Sequence, residues 1–357
     1  MMQAVRWHGP RDIRLDEVPA PSPAAGDVLI AVAACGLCGS DVHEYLHGPV
    51  YIPKTPHPLT GVMPPVTLGH EFAGRVVEVG AGVARLRRGD RVAVNPCLLC
   101  GTCAWCRRGQ GNHCAKLATL GLSRDGALAP LVVAPASGCH VLPREVDDEQ
   151  GAVVEPLAVA VHACARARLA GGERVAVIGA GAIGLLVLQV LKAGGAGWTI
   201  VVEPRAERRR LAQAFGADEV IDPEGADPTR AIAAATGGER VDIAFECVGH
   251  PAAFATALRA AGKGGRVVLV GLVTEPVAVN LLGLLAHEKE IVGSSAYVSE
   301  FPEAIALLAR GRVRVGPLVT GRVPLDRAVS NGLDALLRRD DAHVKILVTP
   351  LPTGSTR

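Results

Sequence analysis

Four cysteines fall within the fifteen residues CGTCAWCRRGQGNHC, from Cys100 to Cys114, and Cys97 stands just upstream. Thiolates at this spacing suit a soft metal such as zinc, or a reactive thiol centre. Arg107 and Arg108 among them add a third reading, a zinc module that reads nucleic acid. A second constellation lies upstream. GLCGSDVHEY carries Cys38, Ser40, Asp41 and His43, and LGHEFAG carries His70 and Glu71. A thiolate and an imidazole on separate loops are two ligands of a zinc site that still needs a third. The candidate is Glu155 in VVEPLAVAVHA, because a carboxylate within an apolar run is costly unless paired or metal-bound. The plainer alternatives are that Cys38 and His70 are buried neighbours without metal, and that Glu155 is a strand-end acid reaching solvent.

A third pattern points to a dinucleotide. VAVIGAGAIG holds Gly179, Gly181 and Gly184 in G-x-G-x-x-G spacing around Ile183, after a strand-like run and before a helical one. The first glycine permits the tight turn, the second lets backbone approach a pyrophosphate, and the third lets helix and strand pack closely. Glu203 follows at the end of TIVVE, where a carboxylate accepts hydrogen bonds from an adenosine ribose and repels a 2′-phosphate. NAD is therefore expected over NADP, against the pull of Arg205 and Arg208, which could hold that phosphate.

These residues need elements to position them. From about residue 173, the strand-like runs RVAVIG, TIVVE, EVID, DIAFECVG, RVVLVGL and EIVGSSA alternate with helical stretches. That alternation predicts parallel β-α-β units and a doubly wound α/β sheet. The first 150 residues read as mostly β, with a long Pro-rich loop from Pro49 to Pro65. After residue 298, helix-like segments frame a last strand, HVKILVTP, in a tail too short for a domain of its own. The boundaries expected are a β-rich domain over 1–156, a dinucleotide domain over 157–297, and a segment over 298–357 that returns to the first.

At 357 residues, two domains are the default expectation. Lys+Arg 37 against Asp+Glu 35 argues against nucleic acid or an anionic membrane as the main partner. The apolar run from Val175 to Leu191 is broken by glycines and reads as strand, turn and helix rather than a membrane span. The first residues lack the apolar core of a signal peptide, so a cytoplasmic address is expected, and the ten cysteines suit metal and free thiols better than disulfides. Cys139, Cys164 and Cys247 sit among apolar neighbours as small core residues do.

Taken in order, GLCGSDVHEY, TLGHEFAG, CGTCAWC with the later Cys114, VEPLAVAVHA and IGAGAIG resemble the zinc-dependent medium-chain alcohol and polyol dehydrogenases along essentially the whole chain. The Pro-rich stretch between His43 and His70 is similar to the insertion of the 2,3-butanediol dehydrogenases. The resemblance implies a mostly-β GroES-like catalytic domain and a Rossmann domain with a six-stranded parallel sheet. It also implies two zinc ions per chain, NAD, a small alcohol or ketone substrate, and a homodimer or homotetramer.

By the same resemblance, Cys38, His70 and Glu155 hold a catalytic zinc, with Glu71 as a transient ligand or neighbour. Asp41 orients the imidazole, and Ser40 and His43 relay a proton. Zinc lowers the alcohol's pKa, the proton leaves through Ser40, the nicotinamide ribose and His43, and the carbinol carbon delivers hydride. Arg208 and Ile183 belong to the cofactor site, and Val248, Gly271 and Ser295, within Ser294 to Ala296, line its nicotinamide side. Cys100, Cys103, Cys106 and Cys114 become a closed structural zinc site. A register through Cys97 is as regular, but two knuckles so close together would be cramped around one ion. The substrate implied is 2,3-butanediol or acetoin, with a sorbitol-type polyol or L-threonine as the alternative. One departure stands out: where relatives carry an aromatic-rich segment after the cysteine lobe, this chain has DGALAPLVV. A non-catalytic zinc and NAD module, and a nucleic-acid binder, are the readings of other classes.

Overall fold

The computed structural model describes residues 1–338 and 343–350. The chain forms two compact units, the first of Met1–Glu155, Ala304–Ala309 and the chain from residue 319 onward, the second of Pro156–Glu303 and Arg310–Leu318. None of the ten cysteines is in a disulfide. No described helix is long and apolar enough to cross a membrane.

The main sheet of the first unit runs Cys139–Val141, Arg91–Val94, Glu71–Val79, Asp27–Gly36, Lys345–Thr349 and Val319–Pro324, with Leu131–Pro135 also pairing with Asp27–Gly36. The central strand, DVLIAVAACG, is rich in β-branched residues and buries Val28, Ile30, Val32 and Cys35. Full burial of a side chain such as Ile30 or Phe72 contributes about 2 kcal/mol. Register places the chemistry: Gly36 lies opposite Glu71 on one side and opposite Leu347 on the other. The residues just after Gly36 and just before Glu71 are therefore brought side by side, with the tail strand beside them.

The Pro-rich stretch has no strand or helix from Gly48 to Pro65, as residues that cannot donate to a ladder require. DGALAPLVV still forms a strand, Leu131–Pro135, and Ala127, Leu128 and Ala129 are buried without any aromatic ring.

The second unit is the parallel sheet that the alternation predicts. Its six strands lie in the order Glu219–Ile221, Trp198–Val202, Arg174–Ile178, Val241–Glu246, Ala261–Leu269, Glu290–Gly293, and every neighbouring pair is parallel. Strand order reverses beside Arg174–Ile178, the position at which such sheets open a crevice for ligands beyond their strand ends.

Candidate metal centre and dinucleotide turn

In the first unit, Cys38 caps the helix Gly39–His47 just beyond the central strand, and His70 immediately precedes Glu71–Val79. One ligand atom each from Cys38, His70 and Glu71 lies within 4.8 Å of the others. Asp41 is fully buried; its Oδ2 accepts the Cys38 N–H at 2.9 Å, and its Oδ1 stands 3.8 Å from His70 Nδ1. Those two facing atoms are buried and have no hydrogen-bond partner. Ser40 Oγ lies 3.2 Å from Nε2, the other nitrogen of the same ring. Burial pushes the Asp41 carboxyl up, against the charge of His70. Burial also opposes a charged His70, yet the negative groups of Asp41, Cys38 and Glu155 outweigh it and hold its pKa well above the ordinary value.

Anionic groups are thus gathered with few cations to balance them. Lys345, from the last strand, is the main one. Its Nζ lies 2.6 Å from Glu71 Oε2 and donates to the Leu37 carbonyl at 3.1 Å, both side chains being buried. Burial works against the ammonium, but Glu71, Cys38 and Glu155 together raise its pKa. Space for Glu71 depends on Gly36, because a Cβ there would come 2.2 Å from Glu71 Oε2.

Glu155 is half-buried in the first turn of the helix Val154–Ala167, not at a strand end. The tight group of donors takes Glu71 as its carboxylate, and Glu155 acts on His70 and Lys345 through its charge. Sulfur, imidazole nitrogen and carboxylate oxygen are zinc's donor set. The apposed Asp41 and His70 atoms are what a ring bound through Nε2 needs, since its Nδ1–H then has an acceptor. These residues fit a zinc ion.

His43 lies on the same helix as Ser40, half-buried, with its ring centroid 6.3 Å from that of His47. Burial, then the charge of His47, lowers its pKa. The buried Glu44 carboxylate accepts the backbone N–H groups of Val50 at 3.0 Å and Ile52 at 3.1 Å, and that of Tyr51 between them. This clamp sets the start of the Pro-rich loop and brings Tyr51 near Cys38, whose charge adds to burial in raising the phenol's pKa. Lys345, Glu44 and Tyr51 escaped sequence reasoning. Charged residues inside apolar runs, as in HVKILVTP, were the available signal.

The cysteine lobe gathers the sulfurs of Cys100, Cys103, Cys106 and Cys114 within 4.8 Å of one another. Backbone N–H groups of Cys100, Cys103, Cys106 and Lys116 point at sulfurs of the group at 3.3 to 3.5 Å, an arrangement that favours thiolate. The Cys100 thiol is pulled down to about 6 by such backbone donors. Cys97 lies outside the group, on the short strand Cys97–Leu98 paired with Ala118–Thr119.

In the second unit, Gly179 turns the chain at φ +97° directly after strand Arg174–Ile178, and Gly181 caps the helix Ala182–Ala193, whose first turn holds Ile183. A Cβ on Gly184 would fall 1.9 Å from the Gly179 carbonyl, so helix and turn can meet only at glycine. Buried Glu203 accepts the N–H of Ala180 at 2.8 Å and of Arg205 at 3.0 Å, which ties the acidic strand end to the glycine turn. The Arg208 guanidinium reaches to 3.8 Å from where a Gly181 side chain would begin.

Val248 is 53% exposed and packs its methyl against the Gly179 turn. Gly271 sits where a Cβ would meet the Gly249 nitrogen at 2.2 Å. Ser295 follows strand Glu290–Gly293, next to Ala296 at φ +49°. Two acids missed in the sequence brace these loops. Glu246 accepts the N–H of Val248 and Gly249, and Glu300, 2.7 Å from His162 Nδ1, accepts those of Val298 and Ser299.

Comparison with known proteins agrees with both halves. Residues 24–144 match the alcohol dehydrogenase GroES-like domain, and residues 182–310 match the zinc-binding dehydrogenase domain. The chain is 38% identical to (R,R)-butanediol dehydrogenase of Bacillus subtilis, over 98% of this chain and all of that one. It is 37% identical to human sorbitol dehydrogenase, over 90% of this chain and 89% of that one. The crystal structure of the Bacillus subtilis 2R,3R-butanediol dehydrogenase superposes with a TM-score of 0.92 over 98% of this chain and 100% of that one. The chain belongs to the zinc-dependent medium-chain dehydrogenases, enzymes that pair a GroES-like domain with a nicotinamide-binding Rossmann domain.

Proposed function

We propose that the protein interconverts 2,3-butanediol and acetoin, or a close secondary alcohol and its ketone, with NAD. The observation that carries the metal chemistry is the half-buried Cys38 beside the buried His70, with Asp41 aimed at the far side of the imidazole. The substrate rests on full-length similarity to a butanediol dehydrogenase. Sorbitol dehydrogenases are the second reading, because they match at 37% identity.

When bound, zinc supplies Lewis acidity that lowers the pKa of an alcohol, and nicotinamide supplies the hydride acceptor. Cys38, His70 and Glu155 hold the metal. Glu71 is the carboxylate paired with Lys345 at 2.6 Å, and Glu155, whose charge also acts on His70, is the carboxylate assigned to the metal. Asp41 fixes the ring so that Nε2 faces the metal. Ser40 lies against that nitrogen at 3.2 Å and offers a hydroxyl to the substrate's proton. His43, with its lowered pKa, is an unprotonated acceptor at neutral pH. Gly179, Gly181 and Gly184 seat the pyrophosphate, with Ile183 and Arg208 beside it. Each Glu203 oxygen keeps a lone pair for ribose hydroxyls and repels a 2′-phosphate. Val248, Gly271 and Ser295 border the nicotinamide. Cys100, Cys103, Cys106 and Cys114 hold a structural zinc with no open position.

A homodimer or homotetramer fits the outer strand Glu290–Gly293, whose outer edge is unpaired among the described residues, and the neighbouring Leu281, Leu282 and Leu285, each 71–75% exposed. A cytoplasmic setting fits ten cysteines of which none is in a disulfide. Initial rates on separated 2,3-butanediol stereoisomers, acetoin, sorbitol and L-threonine, with NAD and NADP, test the reading. The largest kcat/KM is expected for a butanediol stereoisomer with NAD; a sorbitol or threonine preference would displace it.

A further inference from the structure

The six-stranded sheet has a second charged concavity, at the edge opposite the glycine-rich turn. The chain at the amino ends of strands Val241–Glu246, Ala261–Leu269 and Glu290–Gly293 surrounds a cavity of about 820 Å³. Arg174 at its wall takes both nearby carboxylates, Glu239 at 2.8 Å and Asp242 at 3.6 Å. Arg240, Arg259, Lys263 and Lys289 also line it, and among the described residues none of them has a carboxylate partner.

Helix capping accounts for part of this arrangement. Lys289 Nζ donates to the carbonyls of Leu258 at 2.9 Å and Ala261 at 2.6 Å, and Arg240 donates to that of Arg259, all at the carboxyl end of helix Pro251–Ala260. A helix terminus is worth only about half a negative charge. Most of the positive charge of four side chains is left uncompensated. Consistent with that, burial and the charge of Arg240 lower the Lys289 pKa. Leu258 and Leu284 supply an apolar wall between the charged side chains.

We propose that this cavity binds a small soluble anion carrying two phosphate groups, at a site separate from the dinucleotide turn. Guanidinium forks match phosphate oxygens in geometry, and a cavity between about 300 and 1,000 Å³ suits a small ligand. Four cations spread over the amino ends of three strands favour two anionic groups over one.

The test is calorimetric titration of fructose 1,6-bisphosphate into zinc-loaded enzyme saturated with NADH, with inorganic phosphate as a parallel arm. NADH occupies the glycine-rich turn, so the heat reports the other edge; failure of NADH itself to bind would count against the functional reading instead. Saturable binding is expected, weakened about tenfold or more by Arg259→Glu with Lys263→Glu, and about tenfold weaker for inorganic phosphate. Arg259 and Lys263 are exposed, and unchanged zinc content and melting temperature confirm that the variant is folded. Lys263→Gln, the milder variant, should show a smaller loss in the same direction. Absence of binding, equal affinity for inorganic phosphate, or affinity unchanged by the substitutions would overturn the proposal.

Discussion

Lys345 Nζ lies 2.6 Å from Glu71 Oε2, in an ion pair buried on both sides and built between the last strand and the residue next to His70. A pair removed from water gains little net stability while intact, but losing one partner strands a buried charge. Lys345→Met is therefore expected to destabilise the protein by about 3 kcal/mol. Most of that should return in the double variant with Glu71→Gln. Denaturant unfolding measures it, and an additive double variant would show that the two side chains do not depend on each other.

The same pair separates the roles of the two glutamates. With Glu71 neutralised by Lys345, Glu155→Gln should lose the catalytic metal and reduce kcat/KM by about 100-fold or more. Lys345→Met should free Glu71 to compete for the metal, detectable as altered ligation in a cobalt-substituted protein. If Glu71→Gln lost the metal and Glu155→Gln kept it, the ligand assignment would have to be exchanged.

His43 has a pKa lowered by burial and by His47, so its inflection falls below the ordinary imidazole value of about 6.5. As a proton acceptor it is competent above that inflection and lost below it. His43→Ala should slow turnover above that inflection, with the two enzymes converging below it, and should alter the acid limb of the rate profile. A superimposable profile in the variant would transfer the proton to Glu155 or solvent. The sign for stability is parallel. A depressed imidazole contributes stability above its unfolded pKa that falls away as acid protonates it, so His43→Ala should lessen the loss of stability below that pH.

Glu203 is tied to the glycine turn through the Ala180 N–H at 2.8 Å. Glu203→Ala should weaken NAD and relieve repulsion of NADP, moving the kcat/KM ratio towards NADP by about tenfold or more. Arg205 and Arg208 are the residues expected to receive the added phosphate. Unchanged selectivity would remove the carboxylate from that role.

Much of this was legible in the sequence because its signals are local. The six parallel strands follow from alternating β-branched and helical runs, and the glycine turn follows from spacing whose steric reasons hold in the structure at Gly179 and Gly184. What stayed hidden depends on distant parts of the chain. Lys345 is 274 residues from Glu71, and only the register that sets Leu347 opposite Gly36 brings them together. Glu44 braces a loop through backbone N–H groups that no side-chain pattern advertises. Which of Cys97 and Cys114 joins the other sulfurs was also ambiguous in one dimension. The short strand Cys97–Leu98 carries Cys97 away from the group, and the turn Gly111–His113 delivers Cys114 to it.

Labour is proposed to divide between chemistry at Cys38, His70 and Glu155 and a structural role for the cysteine lobe. Zinc per chain, measured by mass spectrometry alongside activity, tests it most directly. Wild-type protein should carry two ions. Cys38→Ser should keep one and be inactive, Cys114→Ser should lose one, and Cys97→Ser should retain both ions and full activity. An active Cys38→Ser enzyme, or a Cys114→Ser protein that still holds both ions, would contradict the account.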